Sequence, residues 1–406
     1  MRRRLLALIL GCTVAVILGE GLCVVVFYGY HGTASVPELL KREKVNTYEQ
    51  RFLKNGTPRF RGILPHSYLE FVLNSDQIDG VNNTGFLGHD FPPLKDESKF
   101  TILVTGGSVC CQLCESVRDT TNYLEKLLND RYDFNGKEAV VLNGGLGGWC
   151  QPQQAILLLL YGEVIDAIVT VDGFNEFFEA SDEGTRLEHP WQELTTIHPL
   201  AQPDRSVLMS ASVTNALYLW SWNSWILRHS RILYLITHCA RKVFERWGRA
   251  ALDEVDTPLK LISIFSVPPD WDMDQTFMFN ISLYKKYIRY MAAMARAQGI
   301  RSLFFIQPVP AIDKKLTPKE RLVVGDLGYG DRYRQMTQEL LDLEKEGLAV
   351  VSLLDVFSSV ESAIYADHIH CRLWDALDGD NNGYYMMSER IVSHLENHWG
   401  LKRKGE

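Results

Sequence analysis

A chain of 406 residues, 46% apolar and 23% charged, has the composition of a folded protein with a sizeable core, which argues against disorder. A formal net charge of −8, with no basic tract beyond the short solvated tail Leu401–Glu406, argues against a nucleic-acid-binding surface. The length admits two average domains or one α/β domain with insertions.

The amino terminus differs in kind from the rest. Arg2, Arg3 and Arg4 precede a nearly unbroken apolar run from Leu5 to about Tyr28, long enough to cross a bilayer as one helix. Basic residues before the run predict a cytoplasmic amino terminus with the bulk of the chain outside. A cleavable signal has a shorter apolar core of roughly 7–15 residues, so residues 1–30 read as an uncleaved anchor. Glu20 is out of keeping with that run unless it reaches the membrane interface.

Residues 31–98 are polar, with scattered aromatics and no long periodic run, and read as a lead-in that packs on the main domain. LPHSYLEFVLN and VNNTGFLGHDF within it predict short strands joined by turns. From Phe100 the pattern becomes regular. Strand-like runs appear at FTILVTG, EAVVLNGG, DAIVTVDG, RSLFFIQP and LAVVSLL, with helical stretches such as QPQQAILLLLYGEV and LYKKYIRYMAAMARAQG between most of them. Strands alternating with helices predict right-handed βαβ units and a parallel sheet covered on both faces. The expected fold is α/β, a flavodoxin-like doubly wound parallel sheet of about five strands over residues 99–406. A helical insertion at about 181–266, rich in tryptophan and then arginine, interrupts the rhythm. It reads as amphipathic helices packed on the domain, as a cap over the sheet's carboxyl edge, with a membrane-facing surface as the alternative.

Four short motifs sit at strand ends. Gly106-Gly107-Ser108 closes the first strand, and the loop Asn143–Gly148 follows the second. Asp172-Gly173-Phe174-Asn175-Glu176 follows the third, and Tyr365–His370 comes shortly after the fifth. Each alone has an ordinary structural role: a sharp turn, a glycine turn, an asparagine helix cap, a loop histidine. Together they form an ordered set at one sheet edge. A serine hydroxyl is a poor nucleophile until an imidazole takes its proton. Asp367 and His370 are spaced so that one turn brings the carboxylate to the ring nitrogen facing away from the serine.

The order and spacing of these motifs resemble the SGNH (GDSL-type) hydrolase family, from about Asn82 to the terminal helix, with VNNTGFLGHD and IQPVP similar to a bacterial membrane-anchored branch. The resemblance implies Ser108 as nucleophile, His370 as general base and Asp367 as its orienting carboxylate. It also implies an oxyanion hole from Gly148 and Asn175, to which the Ser108 N–H adds a third donor. The departure is Gly107, which stands where that family often has aspartate.

Cys110, Cys111, Cys114, Cys150 and Cys371 all lie beside these motifs. The expectation is a disulfide from Cys150 or Cys371 to the Cys110–Cys114 group, with buried thiols as the alternative. Asp378, Asp380, Asn382 and Glu389 match the spacing of a calcium loop, although no helix of convincing length enters it. No cofactor is expected, and calcium is the weaker alternative. The expected function is an extracytoplasmic serine esterase acting on acyl esters, O-acetyl groups among them, of glycans or lipids. The alternatives are an O-acyltransferase using the same site on a cell-surface glycan, and a non-catalytic glycan-binding scaffold.

Overall fold

A computed structural model describes residues 2–42, 63–76, 78–115, 122–181, 186–188, 205–254, 267–372 and 382–405. The chain divides into two compact units. One comprises Met1–Ile63, Asp76–Asp79 and Leu194–Ser263; the other comprises Leu64–Ser75, Gly80–Glu193 and Ile264–Glu406. This partition differs from the boundaries read in the sequence. The insertion shares a unit with the amino-terminal helix, and the later part of the lead-in belongs with the sheet.

The chain opens on α1 (Arg2–His31), whose Thr13–Tyr30 stretch has a mean hydropathy of 1.8 and is long and apolar enough to cross a membrane. Helix α2 (Val36–Arg42) follows. A hairpin of β1 (Ile63–His66) and β2 (Glu70–Leu73) precedes the first long strand, β3 (Lys99–Gly106). After it come α3 (Ser108–Leu113), α4 (Tyr123–Arg131) and β4 (Glu138–Gly145). Next are α5 (Gln153–Tyr161), β5 (Ala167–Asp172) and α6 (Phe174–Ser181). The insertion supplies α7 (Arg205–Asn223), α8 (Trp225–His229) and α9 (Arg231–Glu254). The sheet unit resumes with α10 (Met273–Ala297), β6 (Arg301–Ile306), α11 (Gly330–Leu341), β7 (Val350–Ser352) and α12 (Gly383–Trp399).

The main sheet has the order β4-β3-β5-β6-β7, and every neighbouring pair is parallel. That is the flavodoxin-like doubly wound order, and the predicted fold class holds. The register sets Leu103 beside Leu142 and Ile168, and Val169 beside Leu303. Ile102, Leu103, Val104, Ile168 and Val169 are fully buried, which is why these strands read as continuous apolar runs. Helix α4 packs with α12, while α10 packs with α5, α6 and α11. Helix α10 starts at Met273, well before the predicted periodic run, because Asp272 and Gln275 form a capping box.

Strand β3 lies where the order reverses, with β4 on one side and β5 on the other. Doubly wound sheets place their ligand crevice at the carboxyl ends of the strands at that switch point. Ser108 follows β3 and Asn175 follows β5, so this topology delivers both to the crevice.

The VNNTGFLGHD stretch forms a side-chain-locked turn. Asn82 Oδ1 accepts from the Thr84 and Phe86 amides at 3.0 and 2.9 Å, and its Nδ2 donates to His89 O at 2.8 Å. The turn buries Phe86 edge-on against Trp149 with ring centroids 5.3 Å apart. It thereby packs the lead-in onto the glycine loop after β4.

Candidate active site

The turn after β3 is built for close approach. Gly106 has φ 159°, and a Cβ there would sit 2.1 Å from Val171 O, so only glycine lets β3 end so tightly against β5. At Gly107 a Cβ would fall 2.4 Å from Asn175 Nδ2 and 3.3 Å from Trp149 O. The departure from the resembled family therefore has a steric cause: in this chain the Asn175 amide occupies the space of a side chain at Gly107.

Ser108 opens α3, and His370 Nε2 lies 2.7 Å from its Oγ. The other ring nitrogen, Nδ1, is 2.9 Å from Asp367 Oδ2 and 3.1 Å from Oδ1. Asp367 Oδ1 also accepts from the backbone N–H groups of Ile369 (2.9 Å) and His370 (2.8 Å). Burial pushes the Asp367 carboxyl up, but the His370 ring and these two amides outweigh it and hold it at about 2. The loop is closed by the Tyr365–Cys371 bridge and by Ala366 N donating to His370 O at 2.8 Å. His368 Nδ1 lies 3.9 Å from Asp367 Oδ1, farther than the His370 ring, and its own ring packs 5.9 Å from Phe174.

Asn175, in the first turn of α6, donates from Nδ2 to Trp149 O at 2.7 Å, which leaves its second amide hydrogen for another acceptor. The glycine turn lies beside the serine: a Cβ on Gly147 would be 3.9 Å from Ser108 Cβ, and Gly148 takes φ 81°. Ser108, Asp367 and His370 thus form one hydrogen-bonded chain, with Asn175 and the Gly147–Gly148 turn bordering it.

Two supports escaped the sequence reading. Lys314 and Glu320 are both buried, with Nζ 3.6 Å from Oε2. Lys314 donates to Val360 O (2.8 Å) and Ser362 O (3.1 Å), and Glu320 accepts from Ile364 N (2.8 Å) and Tyr365 N (3.1 Å). The pair therefore fixes the strap that leads into Asp367. Thr317-x-x-Glu320 is a capping box and legible as such; the reach of Glu320 to residues 364–365 is purely tertiary.

The second support flanks Asn175 in the chain. Asp172 accepts a hydrogen bond from the Tyr284 hydroxyl, and Glu176 accepts from Gly173 N at 2.9 Å and from Gln154 Nε2 at 3.1 Å. Both carboxyls are buried. Burial pushes Asp172 up to about 6, and burial beside Asp172 pushes Glu176 well above its usual range. In the unfolded chain both ionise near ~4. Between about 4 and about 6 the folded protein then holds more protons than the unfolded one, so stability falls as pH rises through that window. Thermal melts should show Tm dropping across it, and Asp172→Asn with Glu176→Gln should flatten the drop. An unchanged slope would count against proton retention by this pair.

The disulfide expected at the site is absent: Cys110, Cys111, Cys114, Cys150 and Cys371 are all reduced, buried thiols. Cys110 and Cys114, one helical turn apart, hydrogen-bond to each other, whereas Cys150 and Cys371 face other groups. The Cys150 thiol donates to Gln151 O at 3.4 Å, and Cys371 packs where a Cβ on Gly383 would be 2.6 Å from its Sγ. Burial pushes the Cys110 and Cys371 thiols up, away from reactivity. Of the calcium-loop residues, Asp378 and Asp380 lie outside the described residues. Asn382 caps α12 through Tyr384 N at 2.9 Å, and Glu389 is held by a two-pronged Arg131 contact and the Tyr385 hydroxyl.

A cavity of about 640 Å³ is walled by Phe174, Phe178, Met273, Val324, Tyr329 and His368 among others. Phe174 precedes Asn175 in the chain and His368 precedes His370 by two positions, so two lining residues neighbour site residues in sequence.

Fold and site together describe a doubly wound α/β protein with a serine–histidine–aspartate chain at its switch point. No family model and no curated protein matches the chain. Solved structures that it is similar to include an acetyl xylan esterase at 9% identity and TM-score 0.36, covering 73% of this chain and 99% of that one. A GDSL-like lipase from Bacteroides thetaiotaomicron is 10% identical with TM-score 0.33, over 76% of this chain and 92% of that one. A catalytic mutant of an acetylxylan esterase from Geobacillus stearothermophilus is 10% identical with TM-score 0.34, over 74% and 96%. At these scores the functional reading rests on the site's own geometry.

Proposed function

We propose that the chain is a membrane-anchored, extracytoplasmic serine esterase of the SGNH type, acting on acyl esters of glycans or lipids. The observation that carries this reading is the hydrogen-bonded chain from Ser108 Oγ through the His370 ring to Asp367. His370 Nε2 takes the hydroxyl proton as Ser108 Oγ bonds to the ester carbonyl carbon. Negative charge then gathers on the carbonyl oxygen, where the N–H groups of Ser108 and Gly148 and the spare hydrogen of Asn175 receive it. Collapse breaks the bond to the alcohol, which leaves with the proton from His370. Water repeats the sequence on the acyl-serine and frees the acid. The anchor is α1, with its basic end in the cytoplasm.

Full-length protein in detergent is expected to release p-nitrophenol from p-nitrophenyl acetate and to be labelled at Ser108 by a fluorophosphonate, with Ser108→Ala losing both. Neither turnover nor labelling in the unaltered protein would sink the esterase reading in favour of a non-catalytic scaffold.

The apolar wall of the cavity supports a substrate carrying more than an acetyl group there. Turnover of p-nitrophenyl esters should improve from acetate to hexanoate, each well-buried methylene contributing roughly 1 kcal/mol or more. Phe178→Asp should cancel most of that gain, by roughly tenfold or more at hexanoate, and leave acetate nearly unchanged. Equal losses on both esters would show that the cavity does not select chain length.

A further inference from the structure

Glu20 lies within the apolar run of α1, where an unpaired carboxylate is costly. Its partners are the first residues of α9. It accepts hydrogen bonds from Arg231 N at 2.9 Å, from Ile232 N at 3.3 Å and from the Ser230 hydroxyl, with the Arg231 guanidinium 3.7 Å away. One side chain of α1 therefore satisfies backbone donors that open α9. Gly19 permits the approach, since a Cβ there would fall 2.7 Å from Ile232 Cδ1. Phe27 meets Tyr234 edge-on at 5.6 Å, in a core shared with α2 and α7.

This clasp sets a depth. From Glu20 to Tyr28 a helix rises about 12 Å. With Tyr28 at the outer boundary of the span, the start of α9 falls inside the hydrocarbon, where its amides need an internal acceptor and Glu20 is one.

The outward surface agrees. Ile236, Cys239, Val243 and Trp247 recur at helical spacing along α9 and are exposed, Ile236 at 58% and Val243 at 64%. Trp225 and Ile226 on α8 are exposed at 73% and 61%. Thr237 and Arg241 of α9 are buried instead. A helix in water turns its polar side outward; α9 instead sends Thr237 and Arg241 inward and an apolar stripe outward. Lys242 and Arg246 flank the stripe, where anionic headgroups attract basic residues.

We propose that α8 and α9 form a second membrane contact, embedded in lipid beside α1 with the Ile236–Trp247 stripe on acyl chains. The proposal rests on the anchor reading of α1, and its test separates the two. Full-length protein in phosphatidylcholine–phosphatidylglycerol vesicles is photolabelled by a phosphatidylcholine with a diazirine in its acyl chain, and adducts are mapped by mass spectrometry. Adducts on α1 and also on Trp225, Ile226 and the α9 stripe are expected. Adducts on α1 alone would overturn the second contact and point to a protein partner over the stripe. Adducts on neither would overturn the anchor itself. Glu20→Leu should keep the α1 adducts and lower those on residues 225–236 several-fold; an unchanged pattern would overturn the clasp as the depth-setting device.

Discussion

Asp367→Asn is expected to lower kcat by roughly a thousand- to ten-thousand-fold while the protein stays folded. The carboxylate faces His370 Nδ1 at 2.9 Å and is held ionised, with a pKa of about 2, by the ring and by two backbone amides. An ionised acceptor there keeps the proton on Nδ1 and leaves the Nε2 lone pair aimed at Ser108 Oγ, 2.7 Å away. An asparagine is free to turn its NH2 toward Nδ1, which moves the proton to Nε2, so that the ring donates to Ser108 where it must accept. The Ile369 and His370 amides can still bond to the asparagine oxygen, which is why the loop should survive. Circular dichroism checks the fold and p-nitrophenyl ester turnover checks the rate. A loss under tenfold would show that Asp367 does not govern the imidazole. The depressed pKa has a stability consequence as well. The Asp367 contribution is complete above the unfolded value near ~4 and is lost as pH falls toward about 2.

Gly107→Ala is expected to lower kcat by roughly a hundred- to a thousand-fold, close to the effect of removing Asn175 itself. A methyl at Gly107 would sit 2.4 Å from Asn175 Nδ2, an impossible contact, and the amide must swing away from Trp149 O and from the serine. The double variant Gly107→Ala with Asn175→Ala should then be little worse than Asn175→Ala alone, because the methyl acts by displacing an amide that is no longer there. Additive losses would assign Gly107 a separate role in the serine turn. The expected split is a fall in kcat with KM nearly constant, as for a donor engaged only in the transition state.

The strands were legible because burial on both faces of a parallel sheet writes itself as continuous apolar runs, and Phe100–Gly106, Glu138–Gly145 and Arg301–Ile306 were readable almost to the residue. The start of α10 was less so. Its first turn, Met273 to Thr276, lacks strong periodicity and is specified by the Asp272–Gln275 cap. The cysteines misled for a related reason. Closeness to the motifs put them near one another in space, but a disulfide also needs matching directions; Cys110 meets Cys114 one helical turn on, while Cys150 and Cys371 pack against other groups. Glu320 is half of a local capping box, and its carboxylate also spans to Ile364 and Tyr365, a reach that no local pattern encodes.

Sequence alone determined what local pattern can carry: the alternation that makes the sheet, the apolar first helix, and the ordered set Ser108, Gly148, Asn175, Asp367 and His370. Tertiary structure decided what depends on distance. It joined Ser108 to His370 across the length of the sheet unit, and it explained Gly107 by the Asn175 amide that fills the space of a side chain. It buried Asp172 and Glu176 together, on either side of Asn175 in the chain. It also took Glu20, an apparent flaw in an apolar helix, and set it on the opening amides of α9. Periodicity reports which face of an element is buried, whereas steric exclusion and buried-charge pairing act between residues far apart in the chain and leave no local trace.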